Sequence, residues 1–276
     1  MIKESTAKKL LTHAILVIFA VICIFPFYWM MITALKSSTD VMEFPPKIYP
    51  VSFEFVNFAR VFQLMPMGFA YLNSIKITAL TTLGTLLTSS MAAFAFAKMN
   101  FKFKGPLFAV LLGTMMIPTQ VTLIPLYIVF GKMNWVDTHL PLIIPTVLTN
   151  AYGVFMIRQY MLTLPNEYIE SAQIDGYGYF SIYAKIVLPL SKPIMVTLGL
   201  FTFIWSWNDY LKPLIFLNTD TKFTVPLIIS SFRGVYEVQW ELLMAASAVA
   251  VLPIVLLYLF SQKYFVEGIS MTGIKG

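Results

Sequence analysis

The chain has 276 residues, of which 58% are apolar and only 12% are charged. In soluble domains roughly half of the residues are apolar and roughly a quarter are charged. The composition therefore excludes an ordinary soluble domain and indicates a membrane protein. The net charge of +6 does not indicate nucleic-acid binding, because the basic residues lie in short segments between apolar runs rather than in one patch. One cysteine (Cys23) and two distant histidines (His13 and His139) give no support to a disulfide framework or a metal site.

Six apolar runs predict membrane-spanning helices, since a helix needs about 20 apolar residues to cross the hydrocarbon core. Five runs are free of charged residues over that length, whereas the run that starts at Pro193 must include Asp209 and Lys212 to cross. The sequence therefore predicts an all-α membrane protein, with a single transmembrane domain over residues 1–276. Its six helices are predicted at about residues 10–35, 72–97, 105–131, 138–157, 193–217 and 242–262.

Two prolines, Pro118 and Pro125, lie in the third run. Each removes a backbone donor, so we expect this helix to bend.

Lysine and arginine are distributed unevenly between the two sides of the predicted membrane. With the N-terminus inside, the inner segments hold 11 of the 19 basic residues and 5 of the 13 acidic residues. This excess of positive charge predicts that both termini are cytoplasmic, and with them the polar segment at residues 158–192.

That polar segment predicts two short helices joined by a turn. Thr163 or Asn166 can cap the first helix, and Glu167 and Glu170 suit its positive end. Gly176 can adopt the left-handed conformation that ends a helix. Helices this short are marginal in water by themselves, so the segment is either a docking element or an ordinary connecting loop.

The same segment resembles the EAA signature of the membrane-spanning subunits of ATP-binding-cassette importers. The matching residues are Glu170, Ser171 and Ala172, then Asp175 and Gly176, and, after nine further residues, Ile186, Leu188 and Pro189. Ser171 stands where the family usually has alanine. The resemblance implies the type I importer permease fold and a coupling helix that docks in a groove of the ATP-hydrolysing subunit.

Two more stretches resemble carbohydrate importers. The alanine-rich run at residues 92–97, followed by Lys98, Phe101 and Gly105, is similar to sugar-importer permeases. The tail at residues 265–276 is similar to that of the smaller permease of maltose-type importers.

The resemblance implies a set of partners in the inner or plasma membrane of a prokaryote. They are a second permease in a heterodimer, two ATP-binding-cassette subunits, an extracytoplasmic substrate-binding protein, membrane lipid and a carbohydrate substrate. The chain has no Walker A pattern, so we expect it not to be an enzyme and to hold no cofactor itself. ATP and Mg²⁺ are then expected on the partner subunits.

The fifth span carries a candidate substrate pathway at Trp205, Trp207, Asn208, Asp209 and Tyr210. Aromatic faces can stack on a sugar ring, while an amide and a carboxylate can bind its hydroxyls. Anchoring of the aromatic side chains at the membrane interface is an equally good interpretation.

One rival function is an ion-coupled secondary carrier that acts without an ATPase. Carriers of that class usually place ionisable residues in the middle of the membrane. Asp209 is the one acidic residue in the six predicted spans, and His13 and His139 lie near the ends of theirs, which favours the importer permease.

Overall fold

The computed structural model describes the backbone of residues 6–232 and 238–273 and the side chains of residues 7–232 and 238–262. The tail that resembles the maltose-type permeases, at residues 265–276, therefore lies entirely outside the described side chains. Within these ranges every regular element is helical. The α-helices are α1 (Thr6–Ala34), α2 (Ser38–Val41), α3 (Val56–Leu64), α4 (Met67–Lys98), α5 (Lys104–Thr114), α6 (Thr119–Lys132), α7 (Leu140–Leu148), α8 (Ala151–Thr163), α9 (Glu167–Ile174), α10 (Tyr179–Ile182), α11 (Leu188–Leu190), α12 (Lys192–Trp207), α13 (Leu211–Phe216), α14 (Val225–Ser231) and α15 (Trp240–Gly273). A π-helical turn covers Tyr183–Val187 and a 3-10 turn covers Asp220–Lys222.

Four helical stretches in the described chain are long and apolar enough to cross a membrane. They are Ala7–Ala34, Met67–Lys98, Leu140–Thr163 and Trp240–Gln262. Two bent pairs also qualify: Lys104–Thr114 with Thr119–Lys132, at an angle of 94°, and Tyr179–Leu190 with Lys192–Trp207, at 78°. The all-α, multi-pass prediction is thus confirmed, and the number of spans is between four and six.

The expected bend in the third predicted span lies at Pro118. This residue has an extended backbone and directly precedes α6. It lacks the backbone N–H that would continue the helix from α5. Pro125, by contrast, lies inside α6 without ending it.

The fourth predicted span, residues 138–157, is divided into α7 and α8, and α8 continues to Thr163. The fifth predicted span, residues 193–217, is also interrupted: its first helix, α12, ends at Trp207, and the short helix α13 follows. Both differences arise at polar residues: Asn150 starts α8 by accepting a hydrogen bond from the Gly153 N–H (2.7 Å), and Asp209 accepts one from the Lys212 N–H at the start of α13 (3.2 Å). Asparagine and aspartate are strong helix-capping residues.

The chain divides into two compact units. The first is Met1–Met67 with Ile228–Leu252, and only 6% of the apolar window of α1 is buried. In this unit the buried Asn57 amide donates to the carbonyls of Ala34 (3.0 Å) and Lys36 (2.9 Å). The first bond satisfies the last carbonyl of α1, and the second holds the loop that follows the helix.

The second unit is Gly68–Leu227 with Pro253–Gly276. It contains two apolar clusters, and α4 contributes to both. Ile77 packs in a cluster with residues of α6, α7 and α13. Ala93 and Phe94 pack in the other, with residues of α8, α9 and the π-turn.

A hydrogen-bonded clasp at Asp137 joins the α6–α7 connection to the α13–α14 connection. The Asp137 carboxylate accepts bonds from Lys222 Nζ (2.8 Å), the Thr219 hydroxyl (2.7 Å) and the backbone N–H groups of Asn218 (2.9 Å) and Thr219 (3.0 Å). The bond from Lys222, followed by that from the Thr219 hydroxyl, holds the pKa of Asp137 well below its usual range.

We expect Asp137→Asn to lower the apparent melting temperature of the solubilised protein by about 2–4 °C, because a neutral amide cannot replace the ion pair and the four accepted bonds. Since the folded pKa is lowered, this stabilisation is complete above the ordinary value of 3.8 and is lost only as the pH falls below it. The difference between wild type and variant should therefore be constant from about pH 8 to pH 5. Glu54→Gln, at a carboxylate that accepts one bond from Ser52, is the matched control. Equal melting temperatures for wild type and Asp137→Asn would show that the clasp does not stabilise the fold.

Candidate functional site

The first helix of the polar segment, α9, begins at the predicted cap residue, but with a different contact. Asn166 occupies the cap position and makes no side-chain capping bond. Its amide oxygen instead accepts a bond from Lys98 Nζ (2.7 Å), which also donates to the carbonyl of Leu164 (2.7 Å). The C-terminal lysine of α4 therefore fixes the start of the segment.

The end of α9 is closed at Gly176, as predicted. Gly176 has φ +82°, its N–H donates to the Gln173 carbonyl (3.0 Å), and the Tyr177 N–H donates to the Ala172 carbonyl (2.9 Å). This pair of bonds is the Schellman motif. An added Cβ at Gly176 would have nothing within 4 Å, so the glycine is required by the backbone conformation alone.

One face of α9 is buried and the other is open. Ile169 and Ala172 lie in the cluster formed with α4 and α8, and their spacing of three places them on one side of the helix. Glu170 and Ser171 are exposed. Tertiary packing thus stabilises a helix too short to be stable by itself.

The second half of the segment departs from the single short helix that the sequence predicts there. Its chain passes from α10 through the π-turn into α11 and ends at Leu190. The hydroxyl of the buried Tyr183 lies 2.8 Å from Ser90 Oγ on α4. π-Helical turns are rare overall, and those that occur are often located at functional sites.

The eight signature residues fall into two groups. Ala172 is buried, and Ile186 and Leu188 pack against the same cluster. Glu170, Ser171, Asp175, Gly176 and Pro189 are exposed. The first group attaches the segment to the bundle, and the second is available to a partner.

Large apolar side chains also lie on the open face of the segment. Ile174 is 87% exposed and Phe180 71% exposed, with Tyr168, Tyr177 and Tyr179 also exposed. A groove of about 340 Å³ runs beside them, lined by Tyr168, Ser171, Ala172, Asp175, Tyr177, Lys185 and Ile186. Exposed apolar side chains around a groove are typical of a protein-binding surface.

The candidate pathway residues are not all in one place. Trp205, in the last turn of α12, and Asp209, in the connection to α13, line a cavity of about 140 Å³. Trp207 is buried on another side against Tyr71 and Phe203, and the Asn208 amide donates back to the Ile204 carbonyl (2.9 Å). Neither these two residues nor Tyr210 lines the cavity.

The same cavity contains residues that the sequence analysis missed. They are Thr81 of α4, Thr146 of α7, Asn150 between α7 and α8, Thr202 and Ser206 of α12, and Lys212. A signal was present, since serine or threonine recurs on α4 at residues 74, 78, 81, 85 and 88, which is the spacing of one helix face.

Hydroxyls of this α4 face compensate for the break between α7 and α8. Thr85 and Thr88 donate to the carbonyls of Thr146 (3.4 Å) and Val147 (2.5 Å), near the end of α7. The two helices approach closely here, since a Cβ on Gly84 would lie 2.6 Å from a methyl carbon of Val147. Side chains of neighbouring helices can in this way satisfy backbone groups that a broken span leaves free.

An all-helical, multi-pass chain with an exposed polar segment has an architecture found in subunits of membrane transport assemblies. The chain belongs to the family described as the inner membrane component of binding-protein-dependent transport systems, whose model matches residues 84–271. This range includes the polar segment and, apart from Thr81, the residues that line the cavity.

Individual relatives match almost the whole chain. The trehalose/maltose transport system permease protein MalG of Thermococcus litoralis is 34% identical over 99% of this chain and 99% of its own length. The arabinooligosaccharides transport system permease protein AraQ of Bacillus subtilis is 32% identical over 92% of this chain and 91% of its own. A chain of a bacterial ABC transporter involved in alginate import has the same fold, with a TM-score of 0.83 at 20% identity over 96% of this chain and 99% of the other.

The buried pair Ser90–Tyr183 can be tested by a double-mutant cycle. Tyr183→Phe removes one hydrogen bond, whereas Ser90 keeps its bond to the Leu87 carbonyl, so we expect a loss of about 1 kcal/mol in unfolding free energy. Ser90→Ala leaves the tyrosine hydroxyl buried without this partner and should cost more. The double variant should be no less stable than Ser90→Ala, measured by thermal unfolding in detergent. Additive losses would show that the two hydroxyls do not interact.

Proposed function

We propose that the chain is the membrane-spanning permease subunit of an ATP-binding-cassette importer, forming the translocation path for a carbohydrate together with a second permease. The observation that carries this proposal is the geometry of the polar segment. Its inner face packs against α4 and α8. Its outer face exposes Ile174, Phe180 and two carboxylates, and a groove lined in part by Asp175 opens beside it. Membership of a binding-protein-dependent transport family supports the proposal.

The attachment of the segment suggests how ATP hydrolysis is coupled to transport. In this proposal, a cassette subunit binds the exposed face of α9, and its movement displaces α9 and the π-turn together. Lys98 and Ser90 pass that displacement to α4. Arg158 joins α8 to the same end of α4 through a bond to the Phe96 carbonyl (3.1 Å). Coupling then requires that the cassette binds the two states of the bundle with different free energies.

The proposed topology has six spans, with each bent pair counted as one. Both termini and residues 158–192 lie in the cytoplasm, where ATP is available to the partners. The uneven distribution of lysine and arginine supports this orientation.

The proposed partners are a second, different permease, two cassette subunits that hold ATP and Mg²⁺, and an extracytoplasmic binding protein. The names of relatives, which refer to trehalose/maltose and to arabinooligosaccharides, support a carbohydrate as the substrate. Family membership also favours the importer over a secondary carrier acting alone, since the family is defined by dependence on a binding protein.

Docking can be tested at Ile174, whose exposed side chain contributes little to the fold. We expect Ile174→Asp to abolish co-purification with the cassette subunit and to reduce ATP-driven uptake at least tenfold, because a charge is placed in an apolar interface. Gly176→Pro should have the same effect by preventing the left-handed turn.

The matched control is Ile48→Asp, at an exposed isoleucine outside the segment, which should bind the cassette normally. All variants must first be shown to insert at wild-type levels. Normal cassette binding by both segment variants would contradict the docking role.

A further inference from the structure

We propose that this chain itself binds one ring of the transported carbohydrate, in the cavity at the break between α7 and α8. This inference rests on the proposed function and extends it, because it assigns a substrate contact to this permease rather than to its partner alone. The cavity lies entirely within the second unit of the chain.

The cavity is at a depth suited to a transport site. Thr81 lies near the middle of the 32-residue helix α4, roughly 20 Å from its start at about 1.5 Å per residue. Substrate sites of membrane transporters lie typically near the bilayer midplane and use interrupted helices. The break before Asn150 is such an interruption.

Two hydroxyls in the cavity have no protein partner. Thr81 is 1% and Thr202 2% exposed, and within the described residues neither Oγ1 makes a hydrogen bond. Buried polar groups are normally satisfied, and leaving one without a partner is unfavourable. A ligand hydroxyl in the cavity could donate to each or accept from it.

Asn150 adds an amide group to these hydroxyls. Its Oδ1 is used to cap α8, so the side-chain NH₂ is directed to other acceptors. Thr146 and Ser206 complete a lining in which most side chains are uncharged and polar. Such a lining matches the many equivalent hydroxyls of a sugar.

Trp205, together with Leu142, supplies the apolar part of the site. Phe201 stacks against this residue at 5.7 Å and 16°, and Tyr152 meets it edge-on at 5.4 Å. These contacts fix the indole, yet 54% of the residue is exposed. A fixed, open aromatic face is suited to the apolar face of a sugar ring.

The charges of the cavity favour a neutral ligand. Asp209 and Lys212 are its charged residues, and they lie 3.5 Å apart as an ion pair. Binding a cation would require a carboxylate that is not already paired with a base. Binding an anion would require a base that is not already paired with a carboxylate. The volume of about 140 Å³ is close to that of cavities of about 150 Å³ that bind benzene, so the cavity accommodates one six-membered ring.

The test uses the complete transporter in proteoliposomes with its external binding protein and ATP. Radiolabelled maltose, trehalose, raffinose and lactose are the probes. Thr81→Val and Thr202→Val replace a hydroxyl by a methyl group of similar shape, and each should reduce uptake about fivefold or more while the complex still assembles. Thr81→Ser and Thr202→Ser keep the hydroxyl and should restore uptake. Thr122→Val, at an exposed threonine of α6 that bonds only the Thr119 carbonyl, is the control.

A second measurement reports binding directly. In a Cys23→Ser background, Ser206→Cys is labelled with a small thiol reagent, and the transported sugar should slow the labelling. Thr119→Cys, at the bend between α5 and α6, should be labelled at the same rate with and without sugar.

The outcomes separate the two proposals. If wild-type complex takes up none of the four sugars with ATP, the proposed function is contradicted. If uptake is normal in both valine variants and sugar does not slow labelling at residue 206, only the binding site in this chain is contradicted. Reduced uptake in the valine variants, recovery in the serine variants and slower labelling together support the site.

Discussion

A backbone carbonyl that leaves a helix inside a bilayer has no water to bond, so another part of the protein must bond it. In this chain Thr85 and Thr88 of α4 do so for the end of α7. Gly84 allows the two helices to approach closely enough for that contact. The break at Asn150, and with it the cavity, depends on these hydroxyls.

α4 is also the element that joins the two sites of the molecule. Its middle lines the cavity through Thr81, and its last turns hold the polar segment through Ser90 and Lys98. A continuous helix of 32 residues transmits a displacement along its axis better than a loop would. The segment and the cavity are therefore connected by one continuous helix.

Features set by local chemistry were predictable from the sequence. Gly176 closes α9 and Pro118 interrupts the third span because each acts through its own backbone. The π-turn and the division of α7 from α8 were not predicted, since both depend on side chains of α4 that are distant in sequence. The pathway residues show a further limit: the sequence placed Trp205 and Trp207 together, but periodicity alone could not say which of them faces the cavity.

The lining of the cavity, whose two charged residues are paired with each other, has a kinetic consequence. Hydroxyls and one aromatic face bind a neutral ring without the strong attraction of an uncompensated charge. A transporter must release its substrate in every cycle. A site that binds the substrate too tightly slows turnover, as in ion-conduction pathways. The pairing of Asp209 with Lys212 thus favours short occupancy, and leaves tight capture from dilute solution to another component.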